Sequence, residues 1–167
     1  MRLDSIMTRR VVTVDMDDTL TILWEIFHHV RFHHLPVVED NKLRGIISDR
    51  DLLGASSPFV NTLAEQRRDL MILKKRAHQI MTRKPITITK EASCEDATRL
   101  MLRANISCLP VVSSNGQIEG IVTWRDLLRA YCDRAASEEG VERAKESPFW
   151  RPGGMDSVFP ARRLAGS

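Results

Sequence analysis

The sequence predicts an α+β fold in which two pseudo-symmetric β-α-β-β-α repeats pack sheet to sheet. Three observations lead there. A short phrase is written twice, "GIISDRDLL" at 45–53 and "GIVTWRDLL" at 120–128. Each copy follows an identical "LPVV", at 35–38 and at 109–112. Aligning 6–41 with 80–115 and 42–53 with 117–128, around one inserted residue (Gly116), gives 16 identities in 48 positions at a spacing of about 74 residues. Self-similarity at that level is the mark of a tandem structural repeat.

The elements follow in the same order in each copy. "IMTRRVVTV" (6–14) and "IMTRKPITI" (80–88) read as an approach segment running into a short β-rich strand. Thr19 and Ser93 stand at N-cap positions ahead of helical periodicity. Leu20, Leu23, Trp24, Phe27 and Val30 form the apolar face of the first helix, and Ala97, Leu100, Met101 and Ala104 that of the second. "LPVVED" and "LPVVSSNG" are strand and turn, and "KLRGIIS" and "QIEGIVT" complete a hairpin. Gly45 and Gly120 serve either tight hairpin geometry or a close backbone approach. Further helices start near Asp51 and Asp126. One copy alone offers too small a core, which pairing the copies remedies.

The expected organisation is a first repeat at 1–58, a helical linker at 59–76, a second repeat at 77–134 and a C-terminal stretch at 135–167. The linker offers Phe59, Val60, Leu63, Leu70 and Leu73 as an apolar side. The last stretch reads as a helix extension to about Lys145 and then a largely disordered tail, broken by Pro148, Pro152, Gly153, Gly154 and Pro160.

Composition narrows the class. With 43% hydrophobic and 28% charged residues the chain is ordinary for a globular protein. No apolar run approaches the ~20 residues that span a bilayer, so no membrane partner is expected. "MRLDSIMTRR" lacks the apolar core of a signal peptide. Three cysteines, Cys94, Cys108 and Cys132, show no metal-site spacing, and with the missing leader they point to a reducing cytoplasm. A net charge of +3 is too small an excess to imply nucleic acid.

The repeated phrases, IMT followed by Val-Thr-Val, then LPVV, then GI(I/V)(S/T)xRDLL, resemble the cystathionine-β-synthase (CBS) motif in the tandem arrangement called a Bateman module. The resemblance covers roughly residues 1–133. It implies a pseudo-twofold disc, association into homodimers, and sensing of an adenosine-containing ligand: AMP, ADP or ATP, with S-adenosylmethionine or NAD as further candidates. With no enzyme, channel or transporter segment in the sequence, regulation of an unknown partner protein in trans is expected.

The chemistry of such a ligand sorts the residues. A carboxylate can accept from both hydroxyls of a ribose diol, and charge-assisted bonds of that kind are the strong ones. By resemblance that role falls to Asp51 and Asp126, with Ser48 and Thr123 beside the same sugar. Arg50 and Arg125 bring guanidinium groups to phosphates. The first copy adds Arg31, His33 and His34 in "VRFHHLPVV", where the second has Asn105, Ser107 and Cys108 and no cation. His33 aligns with a phosphate-contacting histidine of the family's nucleotide sensors. Asp49 counts against the first site by adding negative charge. Family base contacts map onto Val12, Thr13 and Val37 in one copy and Ile86, Thr87 and Val111 in the other. Trp124 would stack on the base, block it, or pack on a neighbouring subunit. Arg31 stands where Gly or Asn is usual.

Competing readings attach to the same residues. Ser/Thr-x-x-Asp is also a capping box that needs no ligand, and Ser93-x-x-Asp96, outside the ligand phrase, serves as an internal control. His28, His29, His33 and His34 cluster in sequence, but two end a helix and two begin a strand, so no metal site is expected. The sequence carries no nucleophile elbow, P-loop or metal-catalytic motif, and Cys108 reads as a small buried residue; an enzyme is not expected. The alternative to a ligand sensor is a ligand-free protein-interaction or dimerisation module, since a family gives fold more securely than function. The basic residues Arg67, Arg68, Lys74, Lys75 and Arg76 read as a solvated helix face, and Phe149 and Trp150 as a docking segment for a partner or the dimer mate.

Overall fold

A computed structural model describes residues 1–30, 32–56 and 72–139, and the chain divides into a compact unit, Met1–Leu128, and a second unit, Arg129–Ser167. Arg31, linker residues 57–71 and residues 140–167 lie outside the described residues, and with them the readings placed on Arg31, on most of the linker and on the tail, Phe149 and Trp150 included.

The first copy contributes β1 (Val14–Asp15), α1 (Leu20–His29), β2 (His34–Glu39), β3 (Lys42–Ser48) and α2 (Asp49–Ala55). After a short helix α3 (Ala77–Ile80), the second contributes β4 (Thr82–Arg83), α4 (Cys94–Ala104), β5 (Cys108–Val112), β6 (Ile118–Thr123) and α5 (Trp124–Glu139). β2 and β3 form an antiparallel hairpin, as do β5 and β6, and β1 joins β2 in parallel through Val14↔Val37. The equivalent parallel pairing in the second copy is a single bridge, Ile88↔Val111. The mixed architecture agrees with the α+β fold expected from the repeat.

The approach segments are exchanged. β4 belongs by sequence to the second copy, yet it pairs antiparallel with β3 of the first, Gly45↔Arg83 and Ile46↔Thr82. Its counterpart at the N-terminus crosses the other way: Thr8 and Ile121 exchange two backbone hydrogen bonds of 2.9 Å each. The cores follow the same rule. Leu3 and Met7 are buried with Ala97, Leu109, Val111 and Val122, whereas Ala77 and Met81 are buried with Leu20, Leu23, Leu35, Val37 and Ile47. Each copy thus completes its small core with the other's leading segment. The two hairpins also meet at Lys42↔Gln117, a pairing of equivalent positions.

The repeated glycines serve this crossing. A Cβ at Gly45 would collide with Met81 Sδ and lie 2.8 Å from its Cγ and 3.0 Å from Thr82 O. At Gly120 it would lie 2.8 Å from Met7 Sδ and 3.0 Å from Thr8 O. Of the two sequence readings of these glycines, the close approach is the one observed; the hairpin turn is made by Asp40 and Asn41, both with positive φ as a type I′ turn requires.

Helix ends differ from expectation at three points. α2 and α5 begin at Asp49 and Trp124, two residues before Asp51 and Asp126, because Ser48 and Thr123 themselves occupy the capping position. Thr19 stands at the N-cap of α1 without a side-chain cap bond; there the Leu20 N–H donates to Lys75 O at 2.9 Å instead. α1 ends at His29 with Val30 already extended, while α4 runs to Ala104 and closes on Asn105 in the left-handed region, a favoured C-terminal residue there.

Candidate functional site

Strand end and helix start are joined by the same bonds in both copies. The Ser48 N–H and hydroxyl donate to one oxygen of Asp51, Oδ2, at 2.8 and 2.7 Å, and the Asp51 N–H returns a bond to Ser48 Oγ at 3.2 Å. In the second copy the Thr123 N–H and hydroxyl donate to Asp126 Oδ2 at 2.8 and 2.7 Å. Ser93 and Asp96 repeat this capping box at 3.2 and 2.6 Å, and the Ser93 hydroxyl holds the Asp96 carboxyl below its ordinary range. The cap and ligand readings therefore do not exclude each other. Each box engages Oδ2 and fixes the carboxylate, and Oδ1 of Asp51 makes no hydrogen bond to any described residue.

What separates Asp51 from Asp96 is its surroundings. Asp51 lines a cleft of about 820 Å³ together with Ser48, Asp49, Arg50, His33 and His34 of the first copy, a size ordinary for a small-molecule site. The second copy supplies the rest of its lining: the crossing segment around Lys84 and Ile86, the strand start at Ser107 and Cys108, and the helix start at Trp124 and Arg125. Exchange of the approach segments thus puts Ile86 in the cleft that Asp51 lines and Asp126 does not. Its equivalent Val12 has the same 43% exposure, and both are large apolar side chains held open to solvent.

Electrostatics in the cleft are mixed. His33 Nδ1 lies 2.7 Å from Asp49 Oδ2, so the carboxylate counted against this site is engaged with a histidine. His34 stands across from the second copy, its Nε2 3.5 Å from Ser107 Oγ; burial lowers its pKa, partly opposed by Asp49 and Asp51. Arg125 lies over the Trp124 ring at 5.5 Å, within cation–π range. Arg50, Lys84 and Arg125 make no ion pair with a described carboxylate, whereas Arg44, Arg76, Lys90 and Arg99 each do. The cleft therefore sets three cations without an ion pair beside two carboxylates, Asp49 and Asp51.

Other sequence-selected residues lie elsewhere. Thr123, Asp126, Val12, Thr13 and Thr87 do not line this cleft. Val37 and Val111 are completely buried in the two cores and do not line the cleft either. His28 and His29 meet edge to face at the end of α1, apart from His33 and His34. Among the described residues no three His, Cys, Asp or Glu side chains form a metal-sized group. Burial pushes the Cys108 thiol up to about 12, which leaves it protonated and poorly nucleophilic. Lys84 was missed by sequence reasoning; the available signal was that IMT is followed by two basic residues in both copies, Arg9-Arg10 and Arg83-Lys84.

No helix among the described residues is long and apolar enough to cross a membrane. The model of the CBS domain matches residues 3–58 and 77–133. A CBS domain-containing protein of Dictyostelium discoideum is 37% identical over 125 residues, 74% of this chain and 86% of that one. This chain spans less than two thirds of several other curated relatives. Among solved structures, CBSX2 of Arabidopsis thaliana in complex with AMP is similar with a TM-score of 0.67 at 27% identity, covering 80% of this chain and 98% of that one. The CBS domain pair of protein MJ0100, in complex with 5′-methylthioadenosine and S-adenosyl-L-methionine, has a TM-score of 0.66 at 27% identity, again covering 80% and 98%. Repeat, exchanged architecture and both family matches agree: the chain belongs to the CBS domain family, as a tandem pair.

Proposed function

We propose that this chain binds an adenosine-containing ligand in the cleft beside Asp51 and that occupancy regulates a partner protein in trans. The observation that carries this reading is Asp51 itself. Its capping box holds one carboxylate oxygen and leaves the other to accept from a ribose diol, inside a cleft of about 820 Å³ that is also lined by Arg50, Lys84 and Arg125. Ser48 flanks the sugar, Ile86 offers an apolar surface to the base, and His33, His34, Arg50 and Arg125 face the phosphates. AMP, ADP and ATP are the first candidates, and S-adenosylmethionine and NAD follow. Support comes from the relatives above, which hold AMP, 5′-methylthioadenosine and S-adenosylmethionine. Asp126, with Thr123 and Val12, is the matching position for a second and weaker site. The role is regulatory, with no catalytic step.

A second reading, a ligand-free interaction or homodimerisation module, draws on one observation. Equivalent leucines of the two copies, Leu53 and Leu128, are 61% and 52% exposed on α2 and α5. Thermal unfolding with AMP, ADP, ATP, NAD and S-adenosylmethionine separates the readings. A ligand at 100 times its Kd adds about 2.7 kcal/mol, or roughly 5–10 °C in Tm. A shift in wild type that disappears in Asp51→Ala supports the sensor; a folded protein that no ligand shifts supports the interaction module.

A further inference from the structure

Lys84 is unusual in both backbone and side chain. Four described non-glycine residues have positive φ: Asp40, Asn41, Asn105 and Lys84. Three are Asp or Asn, whose short polar side chains tolerate the left-handed region, and Lys84 at φ 50° is not. It also precedes Pro85, whose ring pushes the preceding residue toward extended backbone. Its counterpart in the first copy, Arg10, precedes Val11 and shows no positive φ. Two anchors hold the segment in this shape. Thr82 and Arg83 are paired to β3, and Ile88 is bonded to Pro110 O at 3.1 Å. Between them the chain turns at Lys84, which lines the same cleft as Asp51 and has no carboxylate partner among the described residues. Strained backbone that persists because its surroundings over-determine it is characteristic of ligand-contacting positions.

We propose that Lys84 is a specificity-determining residue. From the second copy's crossing segment it reads negative charge at the 5′ end of a ligand whose ribose is held by Asp51, so that the cleft prefers phosphorylated adenosyl ligands to neutral adenosine. The inference rests on the reading above and deepens it.

Calorimetric titration with adenosine and with AMP, at low and moderate salt, tests it on the wild type and on Lys84→Met, Lys84→Asn and Lys84→Arg. Lys84→Met is expected to weaken AMP roughly tenfold, the loss of one partly exposed charge-assisted contact, while adenosine binds as before. The salt dependence of AMP binding falls with it, and Lys84→Arg restores both. Lys84→Asn, suited to the left-handed backbone, keeps or raises Tm yet loses AMP affinity as the Met variant does. Equal loss of adenosine and AMP in Lys84→Met, or loss of neither, overturns the proposal while leaving the adenosyl reading in place. A wild type that binds neither probe removes that reading and the role of Lys84 with it, a result distinct from either of those.

Discussion

Ser48–Asp51 and Thr123–Asp126 are the same device set in different company. Their carboxylates accept the same two bonds at the same distances, 2.8 and 2.7 Å. Around the first stand Asp49, His33 and His34; at the equivalent places of the second stand Trp124, Ser107 and Cys108. Capping and hairpin pairing are the same in the two copies, and the side chains around them differ. Moreover, Trp124 and Arg125 line the first copy's cleft, so a helix start of one copy furnishes a wall for the other. The cleft beside Asp51 is thus built by both copies and not by the first alone.

The largest expected effect breaks the comparison directly. Asp51→Ala abolishes a ligand-induced rise of roughly 5–10 °C, whereas Asp126→Ala keeps most of it, measured by thermal unfolding with AMP. Equal losses would restore equivalence to the two sites.

Next in size is the crossing. Gly45→Ala drives a methyl group to 2.8 Å from Met81 Cγ, where Gly120→Ala reaches only 3.2 Å from Met7 Cγ. Overpacking of this kind costs about 1–3 kcal/mol, and Gly45→Ala should lie at the upper end. Gly54, with nothing within 4 Å of its added Cβ, is the control; in α2, Ala there stabilises by about 0.5–1 kcal/mol. Urea unfolding of the three variants gives the order.

A smaller effect isolates capping from binding. Asp96→Ala removes the same box as Asp51→Ala and should cost about 1 kcal/mol, yet leave the ligand shift intact, since Asp96 is outside the cleft. Loss of the shift in Asp96→Ala would mean that the Asp51 result reports capping alone.

The smallest effect concerns His34, whose pKa burial lowers below 6.5. Between its folded pKa and 6.5 the unfolded chain takes up a proton that the folded chain resists. Stability from this group is therefore full above pH 6.5 and declines as pH falls below it. The second copy has Cys108 there, a thiol that stays neutral over that range. Below pH 6.5 the Tm of wild type should fall relative to that of His34→Asn, while above it the difference stays constant; a constant difference from pH 5 to 8 would show that His34 does not titrate differently in the folded state.

Much of this was legible in residues. The repeat, both hairpins and the cap residues Ser48, Ser93 and Thr123 are local signals, carried by spacing and side-chain type. The crossing was not legible. "IMT" occurs identically in both copies, so nothing in its periodicity says which sheet it joins; the choice is made by chain connectivity and by Gly45 and Gly120 leaving room for Met81 and Met7. The base-side assignment inherited that blindness, because Ile86 belongs by sequence to one copy and by position to the other's cleft. Lys84 escaped notice because Lys before Pro announces extended backbone, and only the anchors on either side of it force the turn. Thr19 occupies the N-cap position the sequence gives it but makes no side-chain cap bond.

The exchange of leading segments also sets a timetable. Thr8 pairs with Ile121, 113 residues further on by subtraction. On a ribosome adding about 5–20 residues per second, residues 2–8 wait on the order of ten seconds for their partner strand to be made. The first hairpin waits likewise for β4, and a helical or hairpin element forms far faster than that. Neither core is complete when the first copy's own sequence ends: the first needs residues 77–83, and the N-terminal segment waits until β6 is made.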